Sequence, residues 1–294
     1  MSALVEVPER IAVQSTEPGL FAARLQALFQ SKPPALVTTG FRNLDDALGG
    51  GLMPGGLYVL AAPTSWGKSQ VAASMATRAA EAGTRTTLTT LEDNPQQVTR
   101  KIVAAFTEEP LSEVSRTDYT DPALSAKRQA IYEELHRLPL IIDDTHDVDR
   151  LCNLLARHRR QGTELAIVDQ GSWLTLPHGR GQKDMFTAAC LKSRRMKELA
   201  RGTGLALVLV WQINRAGSKK DVKPGLHDLR DSGSVEQDAD AVLIITERVP
   251  TTVEGESLLR LEIAKNRHFA RNKEVRFKSY DAESRIEEYE EVPF

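Results

Sequence analysis

Residues 57–69 read Leu-Tyr-Val-Leu-Ala-Ala-Pro-Thr-Ser-Trp-Gly-Lys-Ser. The first six form an apolar run of strand length, and the stretch from Lys68 to about Ala82 has the pattern of a helix. A strand, a turn carrying Gly67, Lys68 and Ser69, and a helix are the context a phosphate loop requires. Amide N–H groups of such a turn, together with the helix N-terminus, attract phosphate oxygens. Ala62, Pro63, Thr64, Ser65, Trp66, Gly67, Lys68 and Ser69 are therefore the candidate nucleotide cradle. Lys68 is placed to reach β- and γ-phosphates and Ser69 to ligate Mg2+. The usual pattern opens on Gly where this chain has Ala62.

Outward from this stretch, short apolar runs alternate with helical ones. Strands are expected at 84–92, 138–144, 164–169, 204–212 and 240–246, with helices from Pro95 and at 148–160 and 184–201. This alternation implies an α/β fold with a mostly parallel central sheet and helices on both faces. The runs at 258–267 and 273–280 instead alternate with period two, which implies a C-terminal antiparallel extension. Residues 1–18, with Pro8 and Pro18 and no period, read as a flexible tail. Residues 19–31 put Phe21, Leu25, Leu28 and Phe29 on one helical face, and Pro33 and Pro34 stop that helix. The expected organisation is a tail at 1–18, a short helical segment at 19–35 and one domain over 36–294. The polar stretch 213–233 lacks a strong period, and loops of that length inside a domain are commonly functional.

The 294 residues are 41% hydrophobic and 27% charged, which excludes a wholly disordered chain. No apolar stretch approaches the roughly 20 residues of a membrane span. The acid-bearing N-terminus lacks the apolar run of a signal peptide. Cys152 and Cys190 read as reduced thiols, so a cytoplasmic location is expected. With 38 basic and 40 acidic residues the net charge is −2, so a nucleic-acid site has to be a local basic patch.

A nucleotide hydrolase also needs carboxylates at nearby strand ends. Asp169 closes the run 164–169 and fits an acid that holds Mg2+ through water. Glu92 closes the run 84–92 and fits a general base that polarises the attacking water. Gln212 closes the run 204–212, where a neutral amide can hydrogen-bond a γ-phosphate or a water.

The segment Asp228-Leu-Arg-Asp-Ser-Gly-Ser-Val-Glu-Gln-Asp-Ala-Asp240 resembles the signature of the DnaB-type replicative helicases. Other pieces agree in the same order. Thr39-Gly-Phe-Arg-Asn-Leu-Asp45 and Gly50-Gly-Leu-Met-Pro-Gly55 look like that family's lead-in. Residues 61–69 are similar to its phosphate loop, in which Ala for the first Gly is usual. Thr90-Leu-Glu92, Ala166-Ile-Val-Asp169 and Gln212-Ile-Asn-Arg215 match its strand-end acid, its Walker B strand and its sensor strand. Lys265-Asn-Arg267 matches the basic pair that such helicases insert into the neighbouring subunit's ATP site. The resemblance spans about residues 36–285.

It implies a RecA-like P-loop NTPase in a homo-hexameric ring that binds ATP and Mg2+ between subunits. Single-stranded DNA would pass through the centre, and forked duplex would be unwound 5′→3′ during replication. Lys265 and Arg267 become γ-phosphate ligands acting in trans, and residues 19–31 the family's linker helix. Central loops would supply the DNA contacts. One carries Arg180 and Lys183; the other carries Arg215, Lys219, Lys220, Lys223, Arg230, Asp231 and Gly233. Such contacts are electrostatic and blind to sequence. Neither loop is rich in aromatics, so base stacking is not expected. A helicase loader or a primase is the further partner implied. The family's N-terminal collar, which meets the primase, has no counterpart in residues 1–35, so collar-mediated primase stimulation is not expected. Two other readings share the phosphate loop: a RecA- or RadA-like recombination ATPase, and a KaiC-like signalling ATPase indifferent to DNA. A decoy that copies a helicase interface would not need Lys68, Glu92, Asp169, Gln212 and Arg267 together.

Overall fold

A computed structural model describes residues 20–116, 125–177, 185–213, 223–232 and 235–289. The proposed tail at 1–18 lies outside them. The chain divides into two units, residues 1–35 and 36–294. The first holds helix α1 (Leu20–Gln30), on which Phe21, Leu28 and Phe29 are exposed.

In the second unit, α2 (Arg42–Ala47) leads to β1 (Leu57–Ala62) and α3 (Lys68–Glu81). Next come β2 (Thr86–Thr90), α4 (Pro95–Thr107), α5 (Leu111–Arg116), α6 (Ser125–His136) and β3 (Leu140–Asp143). They are followed by α7 (Val148–Arg160), β4 (Leu165–Asp169), α8 (Met185–Thr203) and β5 (Ala206–Gln212). A 3-10 turn at Leu226–Ser232 and the short α9 (Val235–Asp238) precede β6 (Ala241–Pro250), β7 (Glu256–Asn266), β8 (Glu274–Tyr280) and β9 (Arg285–Glu288). The nine strands form one sheet in the order β3-β2-β4-β5-β1-β6-β7-β8-β9. Strands β1 to β6 are parallel, and β7, β8 and β9 each run antiparallel to the strand before.

The alternation of strand side chains builds two cores. Tyr58, Leu60 and Ala62 of β1 face one way with Val208 and Val210 of β5 and Leu243 of β6, under Val71, Met75 and Ala79 of α3. Leu57, Val59 and Ala61 face the other way with Leu207, Leu209 and Trp211, under Leu151 and Leu155 of α7 and Met196 of α8. Each fully buried side chain of this kind contributes about 1.5–3 kcal/mol. The alanines of α3 let that helix lie close to the sheet, which holds the loop at its N-terminus, residues 63–67, against β1.

Strand β2 is polar yet buried, because β-branched Thr suits a pleated surface. Its hydroxyls all find partners: Thr86 donates to Thr84 O (3.0 Å), Thr89 to Asp143 (2.7 Å) and Thr90 to Asp93 O (2.7 Å), while Thr87 lies 3.2 Å from His158 Nδ1. The lead-in segment is structural. Asp45 accepts from Thr39 N (2.8 Å) and Thr39 Oγ1 (2.7 Å), and Phe41 packs edge-on against Phe277 of β8. Gly40 has φ +78°, and a Cβ there would lie 2.4 Å from Arg78 Cβ of α3, so this approach requires glycine.

The antiparallel extension has three strands rather than two. β9 was not expected, since Arg285-Ile-Glu-Glu288 carries one apolar residue. Helices α5 and α6 were not anticipated either, and the strand expected over 84–92 stops at Thr90. In the polar stretch 213–233, residues 226–232 form the 3-10 turn, and 214–222 lie outside the described residues. No helix among the described residues is long and apolar enough to cross a membrane.

Candidate nucleotide site

The sheet delivers the chemistry to one edge. β1, β4 and β5 end side by side, so Ala62, Asp169 and Gln212 share the C-terminal edge of the parallel strands. The chain between β1 and α3 folds back through two residues with left-handed backbone, Ser65 (φ 63°) and Gly67 (φ 86°). A Cβ on Gly67 would meet nothing closer than 3.6 Å, so its dihedral rather than crowding favours glycine. Thr64 and Ser65 are exposed, Pro63 is buried, and Trp66 packs partly against the α3-side core. Helix α3 begins at Lys68, and the first amide donors of a helix have no intrahelical acceptor, so this turn presents N–H groups to an anion.

Lys68 is 5% exposed and Asp169 8%. Burial pushes the Asp169 carboxyl up to about 6; the Ser69 hydroxyl and the Lys68 ammonium oppose that rise, and Glu92 and Asp93 add to it. Asp169 Oδ1 is buried without a hydrogen-bond partner. A carboxylate beside a Ser hydroxyl, with one orphaned oxygen, fits a divalent cation that arrives with a nucleotide. Among the described residues no group of three or more His, Cys, Asp or Glu could hold an ion alone.

Glu92 is exposed and sits two residues past the end of β2, not on the strand. Leu91 N donates to Asp169 O (2.5 Å) and ties that segment to β4, and the Glu92 charge acts on the Asp169 carboxyl. Gln212 accepts from Gln170 Nε2 at 3.2 Å, and Gln170 Oε1 is buried and unpartnered. Gln170 was not singled out in the sequence; its place directly after Asp169 was the available signal.

Arg248 of β6 was also missed. It donates to Ser65 O (2.8 Å) and to Asp281 (2.5 Å), clamping the loop's backbone from the antiparallel side. Gln70 of α3 adds a second tie, donating to Tyr280 O (3.2 Å) and Arg285 O (3.1 Å).

Lys265 and Arg267 are not brought to this site. β7 runs antiparallel, so Lys265 lies beside Val242, and Tyr58 near the start of β1 lies beside Ala241. The pair therefore sits at the opposite edge of the sheet, about 10 Å or more below Ala62 at roughly 3.3 Å per strand residue. Lys265 Nζ donates to Glu236 O (2.5 Å), and Arg267 donates to Gln237 O; both acceptors lie in α9. Burial, and then the Arg267 guanidinium, lower the pKa of the Lys265 ammonium. Asp240 is the hub here. Its carboxylate accepts from Leu57 N (2.8 Å), pairs with Lys197 of α8, and lies 3.7 Å from Arg267 Nη1.

The signature segment supports this hub. Leu229, Val235 and Ala239 are core residues, Asp228 accepts from Gly225 N (2.9 Å), and Asp238 accepts from Ser193 (2.6 Å). Arg230 and Asp231 lie in the 3-10 turn, and Lys223 is exposed ahead of it. Arg180, Lys183, Arg215, Lys219, Lys220 and Gly233 lie outside the described residues.

The profile of the DnaB-like helicase C-terminal domain matches residues 37–287. The replicative DNA helicase DnaB of Leifsonia xyli subsp. xyli is 31% identical over 220 residues, covering 71% of this chain and 46% of that protein. The chain spans about half the length of most of the curated relatives it matches. The ATPase domain of G40P superposes with a TM-score of 0.78 at 20% identity, covering 93% of this chain and all of that one. A DnaB-like replicative helicase, solved in connection with its interactions with primase, superposes with a TM-score of 0.76 at 19% identity, covering 92% of this chain and 68% of that one. The fold is thus that of the DnaB-like ATPase domains, and by the match over most of its length the chain belongs to the DnaB-like helicase C-terminal domain family.

Proposed function

We propose that this chain is the ATP-hydrolysing motor of a homo-hexameric DNA helicase that moves on single-stranded DNA and opens forked duplex during replication. One observation carries the reading: a loop of phosphate-loop sequence with Asp169 at a strand end and Glu92 just past another at one edge of the sheet, and the family's basic pair at the opposite edge. The two halves of a hydrolytic site therefore come from two copies.

In this reading the α3 N-terminus and Lys68 hold the ATP phosphates. Ser69 and Asp169 hold Mg2+, which supplies charge neutralisation when bound with the nucleotide. Glu92 orients and polarises the attacking water. Lys265 and Arg267 of a neighbouring copy leave their α9 carbonyls and meet the γ-phosphate charge. Gln212, hydrogen-bonded to Gln170, links the state of that phosphate to β5. Arg230 and the backbone around Asp231 and Gly233, with Arg180, Lys183, Arg215, Lys219 and Lys220, contact the strand's phosphates. Residues 19–35 act as the linker segment, and a loader or primase joins the assembly at the fork.

The test is ATP hydrolysis with and without oligo-dT at 50 and 200 mM salt, with Lys68→Ala as the blank, followed by forked-duplex unwinding. Stimulation by the strand that weakens with salt, together with unwinding, is the expected result. Hydrolysis indifferent to DNA would favour the signalling ATPase instead.

A further inference from the structure

The outward face of α7 carries charge that the nucleotide site does not use. Arg150, Asn153, Arg157 and Arg160 are exposed and recur along one side of the helix. With His146 and Thr175 they line an open groove of about 710 Å3. Among the described residues the three guanidiniums have no hydrogen-bond or ion-pair partner. One acid, Asp147, also lines the groove, where it caps Arg150 N (2.8 Å) without an ion pair to any of the three guanidiniums, and Asp149 holds Arg195 (2.5 Å). Arg159 of the same helix, by contrast, donates to Thr203 O (3.3 Å) and Thr163 O (3.2 Å).

A second pocket, about 260 Å3 between α3, α4 and β9, shows what charge that serves the fold looks like. Its cations are partnered: Lys101 by Asp93, Arg285 by Glu283 and Glu287, and Arg78 by Ile286 O. In the α7 groove Arg157 and Arg160 stand three positions apart with no acid paired to either, and like charges at that spacing cost stability on a helix surface. In a chain of net charge −2 this is a local concentration of the kind a polyanion site needs.

The lining also selects the polyanion. Leu154 is the one apolar side chain of the groove, and no Phe, Tyr or Trp lines it, His146 being its one ring. It therefore lacks the anchors of a protein-docking surface and a platform for stacked bases. Guanidinium forks, the Asn153 amide and the Thr145 and Thr175 hydroxyls are donors of the kind that contact phosphate oxygens. From Arg150 to Arg160 the helix rises about 15 Å, which strings the three charges along a line rather than around a point.

We propose that this face of α7 is a second track for the phosphate backbone of single-stranded DNA, separate from the loops assigned to the strand above. The inference rests on the motor reading. Each arginine takes a phosphate, without regard to base sequence.

The test is anisotropy of labelled oligo-dT between 50 and 200 mM salt, using the full chain. Compared are wild type, the triple variant Arg150→Ala/Arg157→Ala/Arg160→Ala, and the single variant Arg157→Glu. The triple variant should bind about tenfold or more weakly at 50 mM salt and lose about 2 from the log–log salt slope, since each single-strand phosphate contact contributes about 0.7. Arg157→Glu should weaken binding in the same direction, and labelled ATP should bind all three proteins alike. Unchanged affinity and slope in both variants would overturn the track while leaving the motor reading intact. A wild type that does not bind oligo-dT would overturn both. If a poly-glutamate peptide binds wild type and not the triple variant while DNA binding is unaltered, the groove takes an acidic protein segment and the proposal fails.

Discussion

The parallel and antiparallel halves of the sheet solve different problems. Strands β1, β4 and β5 are buried on both faces, and the Walker-type residues sit where they end. Strands β7, β8 and β9 bury one face, with Leu259, Leu261, Phe277 and Ile286 inward and residues such as Arg260 and Lys278 outward. Burial on both sides leaves β1 and β5 little freedom, which suits groups whose positions must be fixed within tenths of an ångström. A one-sided sheet leaves its outer face partly exposed. Yet the halves are not independent: Arg248 and Asp281 reach from the antiparallel side to hold the backbone of Ser65.

The sharpest way to break this division is to damage each half separately. Lys68→Ala and Arg267→Ala should each lower ATP hydrolysis by about 10^3-fold or more. Arg267→Ala should still bind nucleotide, because its side chain lies at the far edge of its own sheet. Mixing the two inactive proteins should restore part of the activity, since one copy keeps an intact phosphate loop and the other an intact basic pair. Normal hydrolysis by Arg267→Ala would end the two-copy description.

A core substitution probes the rigid half next. Leu209→Ala removes a side chain that is fully buried beneath α7 and α8 and should cost about 2–5 kcal/mol in urea unfolding.

A smaller effect of opposite sign should come from Asp169→Asn. Burial raises this carboxyl from an ordinary 3.8 to about 6, so the folded chain favours the protonated acid. Stability from this group is present below about pH 4 and declines as pH rises to about 6. Above that the variant, which carries no charge to bury, should be more stable by about 1–3 kcal/mol when nucleotide and Mg2+ are absent. The gap should close as pH falls toward 4, and the variant should not hydrolyse ATP. Thermal melts in EDTA across that pH range check the sign.

The smallest change belongs to the outer face of the antiparallel half. Arg260 pairs with Glu247 (3.1 Å) and lies 3.8 Å from Glu274. Arg260→Ala should cost about 0–1 kcal/mol, as partly exposed ion pairs do. A loss as large as that of Leu209→Ala would mean that the two halves are equally rigid.

Much of the parallel half was legible because its strands are apolar runs, and even β2 announced itself through β-branched threonines. That Lys68, Ser69, Asp169 and Gln212 would share one edge of the sheet could be read because strand ends and a loop motif are local features. The clamp on the loop could not, since Arg248 and Asp281 are 33 positions apart and meet only after the β6–β7–β8 meander has formed. β9 was hidden for a related reason: besides the single buried Ile286 it is held by pairing with β8 and by the Gln70 amide rather than by an apolar run. The signature segment was legible as a family mark but not as a structure, because Asp240 acts through Leu57, Lys197 and Arg267, all distant in sequence.

The placement of Lys265 and Arg267 at the far edge of the sheet has an arithmetic consequence. If a working centre needs the loop of one copy and the basic pair of the next, a lone chain has no complete centre and two chains have one. An open row of n copies has n − 1, and only a closed ring has as many centres as members. Total hydrolysis would then fall on dilution faster than the concentration itself, so turnover per chain would drop with every chain still fully folded. A dilution series of hydrolysis would therefore report on ring closure without any structural probe.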